Sequence, residues 1–224
     1  MPDLAVLFDL DGTLIDSEGL WWRAECRVVD GLGGVWTPED QAHCLGGPLE
    51  RVTAYMAERT GSPRSPDDIG RELLDVMEAL LRSEPLEWRP GARDLLAQCR
   101  AEGVPTGLVS ASHRRLLDAV ADAIAREVHA EDGHAFTVTV AGDEVANGKP
   151  HPEPYASAAR SLDVPIERCV VLEDSPTGVA SGQHSGAYVV AIPHIVPISP
   201  APRRRVVQTL EGVTVNDLRA WCDG

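Results

Sequence analysis

The sequence has no excess of positive charge, no paired-cysteine motif and no long apolar run, and each absence argues against a class of function. Acidic side chains number 35 against 20 basic ones, for a net charge of −15. So acidic a chain is not built to take nucleic acid or an anionic membrane surface as its main partner. The one dense basic run, Arg203-Arg204-Arg205, reads as a solvated loop face with no function assigned to it. Cys26, Cys44, Cys99, Cys169 and Cys222 form an odd set without CxxC spacing or a histidine at zinc-site spacing. This argues against a disulfide framework or structural zinc and suits a reduced, cytoplasmic protein. The amino terminus reaches Asp9 after only the short run Leu4-Ala5-Val6-Leu7-Phe8, too brief for a secretory core or a membrane span. No internal repeat or low-complexity tract is evident.

What is there is enough chain for one large domain or for a core with a smaller insert: 224 residues, 43% of them hydrophobic, can bury a proper interior. The opening apolar run ends in Asp9-Leu10-Asp11-Gly12-Thr13. Two carboxylates at i and i+2, where a buried strand ends and a glycine lets the chain turn, can face one pocket. Open α/β sheets place their ligands at such strand ends.

From residue 16 to 88 the pattern is helical. Ser17 is placed to cap a helix running to Gly31, and Thr37-Pro38-Glu39-Asp40 has the cap, first-turn proline and early acids that a helix start prefers. Leu49, Val52 and Met56 recur at helical spacing, as do Ile69, Leu73, Val76 and Leu80 after Ser65-Pro66-Asp67-Asp68. Beyond Pro90-Gly91, short β-rich runs alternate with helices: Thr106 to Val109, Thr137 to Val140, Cys169 to Leu172 and Tyr188 to Ile192. That texture predicts an α/β protein with a Rossmann-like parallel-sheet core, formed by residues 1–15 and 89–224, into which residues 16–88 insert an all-helical cap. Linkers fall near residues 14–17 and 84–90.

Three more groups lie at predicted strand ends. Ser110-Ala111-Ser112 offers a hydroxyl and free backbone N–H groups that can hold an anion, Asn147-Gly148-Lys149-Pro150 presents one ammonium, and Glu173-Asp174-Ser175 supplies a second carboxylate pair. Acids for a metal, a metal for an anion, and a hydroxyl, amides and an ammonium to complete the charge balance make the set that phosphoryl transfer needs, because that chemistry rests on positioning and charge neutralisation.

The order DLDGT, a strand ending in Ser110, GKP around Lys149 and LEDSPTG from Leu172 to Gly178 resembles the four motifs of the haloacid dehalogenase-like superfamily, over essentially the whole chain. The subgroup it is most similar to comprises small phosphatases and β-phosphoglucomutase-like enzymes with a helical cap. The resemblance implies a Mg²⁺-dependent phosphatase acting on a small phosphorylated metabolite through an aspartyl-phosphate. Asp9 is then the nucleophile and Asp11 the general acid and base. The metal falls to a carboxylate oxygen of Asp9, the backbone carbonyl of Asp11 and Asp174, with Glu173 acting through water. Ser110, the Ala111 N–H and Lys149 bind the phosphoryl oxygens, while Gly12 and Thr13 support the turn.

Asp11 favours phosphate esters over alkyl halides, whose displacement needs no acid for the leaving group. Trp21 stands where β-phosphoglucomutases carry a cap histidine and Leu49 where they carry an arginine, with Arg51 nearby, so the phosphatase reading is preferred to a phosphomutase. A non-catalytic binding protein is the remaining alternative. Trp21 is either cap core or a substrate contact. The substrate itself and the oligomeric state are not readable from the sequence.

Overall fold

The computed structural model describes residues 3–44 and 48–224, which fall into two compact units: Met1–Asp16 with Leu86–Gly224, and Ser17–Pro85.

The first unit is built on a six-stranded sheet, β1 (Ala5–Phe8), β2 (Thr106–Val109), β3 (Val138–Val140), β4 (Cys169–Glu173), β5 (Tyr188–Ala191) and β6 (Arg204–Val206). All neighbours run parallel, in the order β3-β2-β1-β4-β5-β6. Every residue of β1, β2 and β4 is buried. These strands therefore show no in-out alternation in their sequences, as expected where helices cover both faces of a parallel sheet. The helices of this unit are α5 (Ala92–Ala101), α6 (Arg114–Glu127), α7 (Glu153–Ser161), α8 (Pro176–Ser185) and α9 (Val215–Asp223). Chain order steps outward in opposite directions from the β1–β4 pair, so the topological switch point lies between these two strands. Their carboxyl ends carry Asp9 and Glu173-Asp174, the place where this architecture opens a crevice.

The second unit holds α1 (Glu18–Gly31), α2 (Pro38–Cys44), α3 (Leu49–Thr60) and α4 (Pro66–Ser83), with α4 packed on α1 and α3. Ser65 caps α4 by accepting from the Asp68 N–H at 3.1 Å, ahead of Pro66 in the first turn. Its inner face is Ile69, Leu73, Met77 and Leu80; the sequence pattern picks Val76, which is only half-buried beside the fully buried Met77. Two buried acids organise this unit. Asp40 accepts from Thr37 Oγ1 at 2.8 Å, Tyr55 Oη at 2.6 Å and Arg59 Nε at 3.1 Å. With the Tyr55 bond as the largest influence, its carboxyl is held down at about 2. Glu25 accepts the Trp36 indole N–H at 3.0 Å, and burial pushes its carboxyl up to about 7.

Several expectations need correction. Ser17 occupies the N-cap of α1 but its side chain makes no capping bond. Asp16 and residues 86–88, assigned to the insert by sequence pattern, group with the sheet unit: the Asp16 N–H donates to the Glu87 carbonyl at 2.7 Å, the Leu86 N–H to the Glu127 carboxylate at 3.0 Å, and Trp88 bridges to Ile15. The Arg203-Arg204-Arg205 run is not a loop, because Arg204 and Arg205 belong to the edge strand β6, with the Arg205 guanidinium 4.4 Å over the Trp221 ring of α9. Among the described residues no helix is long and apolar enough to cross a membrane.

Candidate active site

Asp9 directly follows β1 and is fixed there by its own N–H, which donates to the Leu172 carbonyl of β4 at 3.0 Å. The chain then turns at Gly12, whose φ of +86° favours glycine. A Cβ at this position would lie 2.3 Å from Asp174 Oδ2, so only a bare Cα lets the Asp174 carboxylate close over the turn. His194, from the segment after β5, flanks the same spot, with Nδ1 3.2 Å from where that Cβ would be.

Lys149 reaches this point from the loop before α7. Its Nζ donates to Asp9 Oδ1 at 2.6 Å, to the Val109 carbonyl at 3.0 Å and to Glu173 Oε1 at 2.7 Å. An ammonium has three protons, and these three acceptors take them all. Burial alone would favour the neutral amine, but the Asp9 and Glu173 carboxylates outweigh it and leave the Lys149 pKa raised.

Glu173 is the floor of the site, at 0% exposure. Oε1 accepts from Lys149 and from the Tyr155 hydroxyl at 2.8 Å, and Oε2 accepts from the Ser175 N–H at 3.2 Å and Ser175 Oγ at 3.1 Å. Ser175 also caps α8, accepting the Gly178 N–H at 3.0 Å. At Gly178 a Cβ would meet Glu173 Oε1 at 1.7 Å, so the helix can approach the carboxylate only through a glycine.

Ser110 directly follows β2, beside Lys149's contact with Val109, and its Oγ accepts the Ser112 N–H at 3.0 Å. Ser112 Oγ in turn donates to Asp11 Oδ2 at 3.4 Å, which ties the Ser110-Ala111-Ser112 loop to the Asp11 carboxylate. Trp21 lies half-buried on α1, in the helical unit.

The electrostatics of the cluster follow from its composition. Asp9, Glu173 and Asp174 place carboxylate oxygens within 4.8 Å of one another, and Lys149 is the one ammonium hydrogen-bonded among them. Burial, then the Glu173 charge, push the Asp9 carboxyl well above the usual carboxylate range against the pull of Lys149. Burial and Glu173 raise Asp174 to about 7. These shifts follow from surplus negative charge in a largely buried setting. A divalent cation would offset it, and a donor set of carboxylate oxygens without sulfur or imidazole suits a hard ion of the Mg²⁺ kind.

Sequence reasoning missed the parts that hold this cluster in place. Tyr155 sits in His151-Pro152-Glu153-Pro154-Tyr155, which reads only as a helix start, and nothing in its spacing marks it. Gly178 stands inside the LEDSPTG motif without a role, and Ser112 passes for the continuation of an anion loop. The signal for Gly178 was a glycine where a helix has barely begun, next to a strand-end acid.

Comparison with known proteins agrees with this architecture. Residues 4–186 match the family model of haloacid dehalogenase-like hydrolases. Protein CbbY of Cereibacter sphaeroides is 33% identical over 199 residues, 84% of each chain. Hexitol phosphatase B of Escherichia coli K12 is 30% identical over 193 residues, covering 85% of this chain and 83% of that protein. The crystal structure of CbbY from Rhodobacter sphaeroides in complex with phosphate superposes with a TM-score of 0.79 at 29% identity, covering 97% of this chain and 99% of that one.

Proposed function

The chain belongs to the haloacid dehalogenase-like hydrolases, and from that premise we propose that it is a Mg²⁺-dependent phosphatase that hydrolyses a small phosphate monoester of the sugar- or polyol-phosphate class. The observation that carries this reading is the Lys149 ammonium bridging Asp9 Oδ1 and Glu173 Oε1 at the switch point of the sheet. It brings a carboxylate, a buried ammonium and further acids together at the neighbouring carboxyl ends of β1 and β4, which supports reading Asp9 as a nucleophile beside a metal site. The substrate class is supported by the names of the relatives, one of which is a hexitol phosphatase.

In this reading an oxygen of Asp9 attacks phosphorus and the bond to the ester oxygen breaks, giving an aspartyl-phosphate on Asp9. Asp11 gives its proton to the departing alkoxide. It then takes a proton from the water whose oxygen attacks phosphorus, which breaks the Asp9–phosphorus bond and releases inorganic phosphate. Ser110, the Ala111 N–H and Lys149 hold the phosphoryl oxygens. Asp9, the Asp11 carbonyl and Asp174 are the residues that would hold Mg²⁺, with Glu173 reaching it only through water. Bound there, the ion supplies Lewis-acid neutralisation of charge on the phosphoryl oxygens.

The test is phosphate release from a panel of phosphorylated metabolites. Turnover that needs Mg²⁺, stops in EDTA and falls to a trace in Asp9→Asn supports the reading. Full activity in EDTA, or in folded Asp9→Asn, overturns it. An isomerised sugar phosphate as the main product would instead identify a phosphomutase.

A further inference from the structure

Resting on the phosphatase reading, we infer that Tyr155 is a positioning residue of the reaction, whose hydroxyl takes up part of the Glu173 carboxylate's charge and so leaves Lys149 on Asp9. Tyr155 lies in the first turns of α7 and is 0% exposed. Its hydroxyl donates at 2.8 Å to Glu173 Oε1, the same oxygen that accepts from Lys149 at 2.7 Å. Its ring also lies against the ammonium, with Nζ 5.0 Å from the centroid. The phenol thus contacts both members of the pair.

A phenylalanine would fill the same volume, so core packing explains the ring but not the hydroxyl. What the hydroxyl does follows from counting donors. Glu173 Oε1 has two, Lys149 and Tyr155, and the residue is 0% exposed. Without the phenol proton, that oxygen carries negative charge met by Lys149 alone. The ammonium has only three protons and shares them with Asp9 and the Val109 carbonyl. A stronger pull from Glu173 therefore draws it off Asp9, and an unmet charge in a buried network is costly enough to drive such a shift. Charge on Asp9 and on an incoming phosphoryl group would then be less well neutralised during attack, while contacts to the rest of the substrate would stay as they were.

The experiment compares wild type, Tyr155→Phe, Glu173→Gln and the double variant. For Tyr155→Phe the expected result is a fall in kcat of about tenfold, equivalent to about 1.4 kcal/mol, with KM within twofold. In the Glu173→Gln background the same change should add little, because the hydroxyl acts through the carboxylate. An activity-independent readout accompanies these: the ¹⁵Nζ resonance of Lys149, identified by its loss in Lys149→Met, should shift and exchange its protons faster in Tyr155→Phe. An unchanged kcat in a folded Tyr155→Phe, fully additive losses in the double variant, or an unmoved Lys149 resonance overturns the inference. Lower thermal stability with wild-type kcat would return Tyr155 to a packing role. A wild type that releases no phosphate, or an active Asp9→Asn, defeats the phosphatase reading instead, and the Lys149 resonance still decides whether the hydroxyl positions the pair.

Discussion

Gly178→Ala adds one methyl group to the first turn of α8 and should disable the protein more than most core truncations. The Cβ would stand 1.7 Å from Glu173 Oε1, 1.9 Å from its Cδ and 2.1 Å from Oε2. Ordinary carbon contacts begin near 3.5 Å, so the carboxylate or the helix must move by roughly 2 Å. The obstacle is not the loose tip of an exposed chain. It is a fully buried carboxylate held by Lys149, Tyr155 and both donors of Ser175. Displacing it breaks or stretches those bonds and drags Lys149 from Asp9. A misplacement of about 1 Å in a catalytic constellation can cost a hundredfold, and that is the loss in kcat expected here, together with a lowered thermal midpoint. The control is Gly19→Ala in α1, where nothing lies within 4 Å of the new Cβ and a small gain in stability is expected. The assay is phosphate release at saturating substrate with parallel thermal denaturation. A Gly178→Ala protein with kcat within threefold of wild type and an unchanged midpoint would refute the reasoning.

Asp11→Asn should lower turnover of an alkyl phosphate by about a hundredfold or more and that of p-nitrophenyl phosphate far less, since the nitrophenolate departs without a proton; equal losses on both substrates count against Asp11 as the leaving-group acid. Glu25 gives a pH-dependence in the helical unit. Its carboxyl titrates at about 7 in the fold against an ordinary 4.5, so the native state holds the extra proton between those values. The stabilisation it contributes is fully present below about 4.5 and is lost as pH rises through about 7. Glu25→Gln keeps an acceptor for Trp36 and removes the titration. The urea stability of wild type relative to this variant should therefore fall by about 1–3 kcal/mol between pH 4.5 and pH 8, and parallel profiles for the two proteins would show that Glu25 does not carry the effect.

Continuous apolar runs and helical periodicity survived into the structure, the short Thr137–Val140 run included as β3, while some singly supported signals did not. The strands β1, β2, β4 and β5 were legible because continuous apolar runs bounded by turn residues have few other fates, and α3 and α4 because their apolar positions repeat every three or four residues. Strand β6 was hidden: it has three residues, pairs on one side only and carries two arginines, so neither alternation nor hydrophobicity announces it. Ser17 has the right residue type at a helix start, yet its backbone sits in the helical region with ψ −4°, from which the usual cap bond is not made. At the site, the acids and Lys149 were visible as chemistry at strand ends, which is a statement about residue type. Which atoms meet, and what holds them, depended on α7 docking against β1, β2 and β3 and on α8 docking against β4 and β5. Tyr155 and Gly178 belong to that docking, and a contact formed between distant segments leaves no local pattern.

The fully engaged ammonium of Lys149 bears on how an anion can bind beside Asp9. With Asp9, Val109 and Glu173 each holding one of its three protons, Lys149 has none in reserve, and a phosphoryl oxygen can gain a hydrogen bond from it only by evicting a present acceptor. The neutral Val109 carbonyl, at the longest of the three distances, is the natural one to give way. Recognition at this point is then an exchange of partners and not an added bond: its net affinity is small, its selectivity for charge over a neutral oxygen is large, and the affinity proper has to come from elsewhere on the substrate.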